Sequence, residues 1–195
     1  MKIYKDIENL PAFRNAVVTV GSFDGVHLGH HRIFEYMREA AERLDGETVV
    51  VTFYPHPQIV LHPELPFFTI NTFEENAELI GDAGINNIVV LPFTKQFAEI
   101  PFQDFLIFLI KRIGMKAMVM GADHNFGKGR EGNKESMREI CAKNSIEIII
   151  IPELVMEENK VRSSKIRQYI ENKEFTKAEQ LLGHPWKKNG IPVSN

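Results

Sequence analysis

Three imidazoles and three glycines crowd one short stretch, GSFDGVHLGHHRIF (residues 21–34). His27 and His30 lie three apart with Gly29 between them, where an apolar run, AVVTVG (16–21), gives way to a helix-like run, HHRIFEYMREAAERL (30–44). A helix start carries unpaired N–H groups and the positive end of the helix dipole, which suit a phosphate. Gly29 lets such a group come close to the backbone. Two imidazoles there can donate hydrogen bonds to phosphate oxygens as charge develops in a transfer reaction. The alternatives are a turn with incidental surface histidines, or a metal pair. The spacing matches neither two histidines one turn apart on a helix nor a zinc quartet with cysteines. The Gly-x₄-Gly-Lys-Ser/Thr phosphate loop does not occur. His31 would face away from His30 on the helix, as a solvated residue. Asp24, inside FDG, is open between a metal or ribose ligand and a turn-former bonding its own backbone.

Three more segments carry polar chemistry. GADHNFGKGREGN (121–133) holds Gly121, Gly127, Gly129 and Gly132 with Lys128 and Arg130. Such glycine density means a sharply bent backbone or one that approaches something closely. Phosphate contact by its cations and a solvated surface loop are equally open. KVRSSKIR (160–167) offers two hydroxyls and four cations before a helix. Ser163 or Ser164 is either a plain N-cap or part of a second phosphate site, with Arg167 one turn in. In YPHPQ (54–58), Pro55 and Pro57 stiffen the chain around His56, which then contacts a ligand or closes the turn.

The elements that position these segments follow from the apolar patterning. Strands are expected at 16–21, 47–53, 87–93, 116–121 and 146–151, and helices at 30–44, 73–84, 101–114, 133–144, 163–173 and 175–183. The strands are continuously apolar, so both sheet faces are covered. Strand and helix alternate five times. This predicts an α/β fold: a doubly wound, five-stranded parallel sheet of Rossmann-like type with C-terminal helices. In such sheets ligands bind beyond the carboxyl ends of the strands. All four polar segments follow strands, so they gather at one edge, and the helical tail from residue 163 is expected to pack over it. The last segment, HPWKKNGIPVSN, shows no clear element.

Bulk properties narrow the partners. The chain has 195 residues, 44% hydrophobic and 25% charged, with a net charge of −3. That is ordinary for a globular domain and lacks the basic field of a nucleic-acid binder. Six of the 23 Lys and Arg residues (Lys128, Arg130, Lys160, Arg162, Lys165 and Arg167) fall in two polar segments. A locally positive pocket in an acidic chain suits a small polyanion. One cysteine, Cys141, leaves no intrachain disulfide and fits a reducing cytoplasm. The N-terminal MKIYKDIENL lacks a signal peptide's apolar core, and no run approaches a membrane span. The expectation is a cytoplasmic protein with no membrane partner.

These residues resemble a known family. GSFDGVHLGHHRIF is similar to the H-x-G-H signature of nucleotidyltransferases. VTFYPHP (51–57), LPFTKQFAEI with FQDFL (91–106), the FG-x-x-R-x-G loop within 121–133, VRSSKIR (161–167) and AEQLLGHPW (178–186) narrow the resemblance. Together they resemble the adenylyltransferase domain of bacterial FAD synthetases, the bifunctional riboflavin kinase/FMN adenylyltransferases. That resemblance implies the reaction FMN + ATP → FAD + pyrophosphate, with Mg²⁺, whose ligands stay unassigned. It implies ATP and FMN as the small-molecule partners. By similarity, His27 and His30 bind the ATP phosphates and stabilise the transition state. Ser163, Ser164 and Arg167 hold the β and γ phosphates, Arg167 counting with the catalytic pair. Gly21, Ser22 and Phe23 line the adenosine side, with Gly29 and Gly121 also on the ATP side. His56, Pro57, Asp123, Asn125, Phe126, Gly127 and Arg130 shape the FMN side.

The sequence departs from the family in places. The family usually reads R-x-S-S-T/S-x-I-R at the second phosphate site; here Lys160 stands for the first Arg and Arg162 for the first Ser. A lysine keeps the charge but loses the planar fork. His124 stands where an aromatic residue is more usual. In the bifunctional enzymes LLGHP-type sequence leads into a riboflavin kinase barrel, and this chain stops at Asn195. The expected organisation is an adenylyltransferase domain over 1–186 and a tail over 187–195, without the kinase domain. Two other functions compete: a related nucleotidyltransferase with another phosphate acceptor, and a non-catalytic flavin or nucleotide-binding module.

Overall fold

The computed structural model describes residues 1–122, 134–156, 159–188 and 191–192. In chain order the elements begin with β1 (Lys2–Tyr4), β2 (Ala16–Val20), α1 (Leu28–Arg43), β3 (Thr48–Tyr54), α2 (Pro57–Leu61) and α3 (Phe73–Asp82). Next come β4 (Asn87–Pro92), α4 (Lys95–Ala98), α5 (Phe102–Arg112), β5 (Met115–Gly121), α6 (Lys134–Lys143) and β6 (Glu147–Ile151). The chain then forms β7 (Val155–Met156), β8 (Asn159–Lys160), α7 (Ser163–Glu171), α8 (Phe175–Leu182), β9 (Lys187–Lys188) and β10 (Ile191–Pro192).

Six strands make one parallel sheet in the order β1-β4-β3-β2-β5-β6. The five expected strands are all present, and β1 adds a sixth at the edge beside β4, an addition that its three residues did not announce. All five residues of β2 are buried. Alternation then assigns each to a face: Val18 and Val20 pack with Phe102, Leu106 and Leu109 of α5 and with Met137 of α6, whereas Val17 packs with Phe34 and Met37 of α1 and Ala77 and Ile80 of α3. Helices therefore cover both faces, which is why the strands read as unbroken apolar runs. Strand order reverses at β2, whose neighbours are β3 and β5. The crevice at such a reversal is where doubly wound sheets bind ligands.

A third apolar cluster covers the carboxyl edge. Ile166 and Ile170 of α7 pack with Ala178, Leu181 and Leu182 of α8 and with Ile70 and Trp186. The Trp186 indole N–H donates to the Ile70 carbonyl at 2.9 Å, and its ring stacks on Phe175. Gly183 ends α8 with φ +79; a Cβ there would lie 2.4 Å from Leu28 Cδ2, so only glycine lets the tail close against the start of α1. The segment 184–195, read as elementless, contains the antiparallel β9–β10 pair. The correction has a local cause: the pair is two residues on each side, too short for a periodic signal.

Candidate functional site

Helix α1 begins two residues earlier than its pattern suggests, at Leu28, and His27 is its N-cap. The His30 N–H is shared between the His27 carbonyl, at 2.7 Å, and His27 Nδ1, at 3.3 Å. The two imidazoles stack with centroids 3.6 Å apart and planes 15° apart. His27 is 6% exposed. Burial pushes its pKa down to about 3, with His31, Arg167 and His184 nearby adding to the effect. The ring is therefore neutral near pH 7. Because Nδ1 accepts a hydrogen bond, the assigned tautomer carries its proton on Nε2, leaving that atom a donor. A Cβ on residue 29 would approach His27 Cε1 and Nδ1 to 3.1 Å, so Gly29 makes the ring's place as well as keeping the helix start open.

The turn before α1 is strained and heavily tied. Phe23 (φ 47), Gly25 (φ 85) and Val26 (φ 40) all occupy the left-handed region, which a β-branched residue rarely visits. Asn76 Oδ1 accepts the Gly25 N–H at 3.0 Å, and His184 Nε2 donates to the Gly25 carbonyl at 2.9 Å. Asp24 is the hub. Its Oδ1 accepts from the Ile70 N–H at 2.8 Å, its Oδ2 pairs with Arg167 Nη1 at 2.6 Å, and its carbonyl accepts the Ser163 hydroxyl at 2.9 Å. Burial lifts its pKa to about 6, against the pull of Arg167 and the backbone N–H groups, so it is ionised at pH 7. The carboxylate is a buried strut joining the turn to α7 and to residues 70–71.

Two clefts flank this turn. One, of about 240 Å³, is lined by His27, Gly29, His30, Gly121, Glu153, Lys160, Arg162 and Ser163, among others. The start of α7 reaches it without a side-chain cap, its N-cap being Arg162 rather than a serine. The other, of about 360 Å³, is lined by Ser22, Thr52, Tyr54, Pro55, His56, Ile59, Asn71 and Phe73, among others. His56 caps α2, its Nδ1 accepting the Gln58 N–H at 3.1 Å, and stacks on Phe67 at 4.6 Å. The Arg167 guanidinium lies over the other residue of this stack, 4.7 Å from the Phe67 centroid. Burial pushes the His56 pKa down to about 4, with Arg167 adding.

The structure brings His27, Gly29, His30, Gly121 and Ser163 together around the first cleft and places His56 in the second. Four residues sit in surroundings other than those expected. Ser22, expected beside adenosine, lines the His56 cleft, because the turn reverses the chain between residues 22 and 27. Phe23 lines neither cleft; its apolar ring is 2% exposed, wedged edge-on to His30 and against Phe34. Arg167, expected at the phosphates, pairs with Asp24 and is not in the lining of either cleft, since a buried carboxylate demands a partner. Pro57 starts α2, and Pro55 is the proline that faces the cleft. Gly21 donates its N–H to the Val51 carbonyl at the end of β2, and Ser164 is exposed in the first turn of α7. Asp123, Asn125, Phe126, Gly127 and Arg130, with Lys128, lie outside the described residues. His31 lines a separate surface cleft with Arg38 and His184. Asn76, Phe67, His184 and Glu153 entered unforeseen; only His184 lay in a quoted motif, LLGHPW.

Among the described residues, no group of three or more His, Cys, Asp or Glu side chains is arranged to hold a metal ion, and no helix is long and apolar enough to cross a membrane. The FAD synthetase family signature matches residues 10–165. FAD synthetase of Listeria monocytogenes is 31% identical over 183 residues, covering 91% of this chain and 72% of the relative. The bifunctional riboflavin kinase/FMN adenylyltransferase of Buchnera aphidicola (Acyrthosiphon pisum) is 31% identical over 192 residues, and that of Listeria 32% over 182. The alignments span 97% and 92% of this chain but 61% and 57% of those relatives, less than two thirds of their length. A crystal structure from Streptococcus pneumoniae, described as a macrolide-efflux protein, superposes with a TM-score of 0.84 at 32% identity, over 94% of this chain and 60% of that one. With its sequence signature, its α/β sheet and its H-x-G-H turn in agreement, this chain belongs to the FAD synthetase family.

Proposed function

We propose that residues 1–186 transfer AMP from ATP to FMN, giving FAD and pyrophosphate. One observation carries the reading: the stacked His27–His30 pair at the start of α1 faces the uncapped start of α7 across a single cleft. Two helix N-termini and two imidazoles converging there suit a polyphosphate. The FMN phosphate oxygen attacks the α-phosphorus, a P–O bond forms, and the bond to the β-phosphate oxygen breaks as pyrophosphate leaves. The nucleophile is already anionic, so no side chain need take a proton, and the protein's part is orientation and charge stabilisation. Neutral His27 keeps its Nε2 proton and uses it as a hydrogen-bond donor toward the reacting phosphate, with His30 beside it. Ser163 and the α7 N-terminus receive the departing pyrophosphate. Arg167 acts at one remove: it fixes the turn through Asp24, and its charge helps keep His27 and His56 neutral.

The flavin is assigned to the His56 cleft, where Tyr54, His56 and Phe73 offer an aromatic wall suited to a flat ring, with Phe67 stacked on His56. Asp123, Asn125, Phe126, Gly127 and Arg130 are assigned to the same side on family resemblance. Mg²⁺ enters with ATP, where it neutralises phosphate charge. Substrate oxygens and water would supply most of its ligands, and no residue of this chain is assigned to it. The partners are then ATP and FMN, with no nucleic acid, and the setting the cytoplasm.

The test is to incubate the protein with FMN, ATP and Mg²⁺ and resolve the products by chromatography. FAD and pyrophosphate are expected in equal amounts, and other phosphomonoesters should release far less pyrophosphate. Folded protein that makes no FAD at high concentration would refute the assignment.

A further inference from the structure

The wall of the phosphate cleft contains a carboxylate that a site for a polyanion should not want. Glu153 follows β6, at the base of the β7–β8 hairpin, where the Val161 N–H donates to the Leu154 carbonyl at 3.0 Å. Across that base stand Lys160 and Arg162, the two residues at which this chain departs from its family's usual pattern. Glu153 Oε2 pairs with Lys160 Nζ, and Glu153 Oε1 pairs with Arg162 Nη2. All three line the same cleft as His27, His30 and Ser163. The Glu153 side chain is 23% exposed, against 51% for Lys160 and 46% for Arg162. The carboxylate is thus the inner member of the cluster, and the cations reach outward around it.

We propose that Glu153 is an affinity-setting residue, a built-in counter-ion that competes with the triphosphate and with product pyrophosphate for Lys160 and Arg162. The inference rests on the reading of this cleft as the ATP phosphate site. Its physics is charge arithmetic. Lys160 and Arg162 bring two positive charges, and Glu153 sets one negative charge between them that repels an incoming polyphosphate at close range. Binding must therefore strip the cations from Glu153 or accept its repulsion. The consequence is weaker ground-state binding of ATP and faster loss of pyrophosphate than the two cations would give alone. Arg162, standing where a serine is usual, is on this view the compensating charge for Glu153 rather than an addition to the phosphate site.

The experiment measures equilibrium binding of Mg²⁺–ATP, pyrophosphate and AMP to the full chain by calorimetry. It compares wild type, Glu153→Gln, Glu153→Ala, Arg162→Ser and the Glu153→Gln/Arg162→Ser double variant, each with a melting curve. Glu153→Gln should tighten ATP and pyrophosphate about 2- to 5-fold, the scale of a partly exposed charge pair. AMP, which lacks the outer phosphates, should stay within about twofold. The gain should shrink in the double variant, where one of the two cations is gone. Folded Glu153 variants that bind pyrophosphate no more tightly than wild type, or that tighten AMP equally, would overturn the proposal. If wild type makes FAD while the Glu153 variants bind unchanged, only this inference fails; if wild type binds neither ATP nor pyrophosphate, the functional reading fails with it.

Discussion

The two sides of the turn at residues 21–30 are built from different materials. Toward His27 the cleft wall is imidazole, glycine, a helix N-terminus and an ion cluster around Glu153. Toward His56 it is Tyr54, Pro55, Ile59 and Phe73, with the His56–Phe67 stack beside them. One side suits charge and the other a flat ring, and a strained turn of a few residues separates them. Asp24 and Arg167 are the shared footing, tying that turn to α7 while Phe67 covers the guanidinium. A division of labour follows. Changes on the polar side should slow transfer and spare flavin affinity, changes on the aromatic side should do the reverse, and changes to the footing should harm both.

The footing gives the largest effect. Arg167→Met strands the Asp24 carboxylate, whose side chain is 2% exposed, and should cost about 3–5 kcal/mol of stability by chemical denaturation. Activity toward both substrates should fall with it; a variant as stable as wild type would show that Asp24 does not depend on this partner. On the aromatic side, Phe67→Ala removes the ring between His56 and Arg167. It should raise the KM for FMN roughly 2- to 10-fold, corresponding to about 0.5–1.5 kcal/mol, and leave the KM for ATP unchanged. A shift in the ATP term instead would erase the distinction between the clefts.

The smallest effect is in the pH dependence of melting. Folding lowers the proton affinity of His27 and His56 from 6.5 to about 3 and about 4. Their contribution to stability is complete above pH 6.5 and is lost as the pH falls toward those values. Asp24 works in the opposite sense: its contribution is present below pH 3.8 and lost as the pH rises through about 6. His56→Asn keeps a cap for α2 and removes one titrating ring, so its melting temperature should fall less steeply than wild type between pH 6.5 and 4. Parallel curves would mean that His56 is not held neutral by its surroundings.

The fold was legible because parallel strands covered on both faces leave unbroken apolar runs, and because Gly114 and Gly183 punctuate helices. β1 was not, since three edge residues carry little pattern. At the site, His27, Gly29 and His30 were legible as a unit because their spacing is local. Asp24 was not, because its partners Ile70 and Arg167 are 46 and 143 residues away. Ser22 and Phe23, grouped on one side by family similarity, part company because a turn with three positive φ values sends neighbouring residues in different directions. Glu153 was invisible for the opposite reason: a lone glutamate after a strand has no motif, and only the hairpin sets it against Lys160 and Arg162.

The most direct test of the divided site is steady-state kinetics of FAD formation by His30→Ala against wild type. The account predicts a kcat lower by about 10²–10³, the scale of one lost transition-state donor, with the KM for FMN within about threefold. An unchanged kcat, or a loss carried mainly by the KM for FMN, would contradict it.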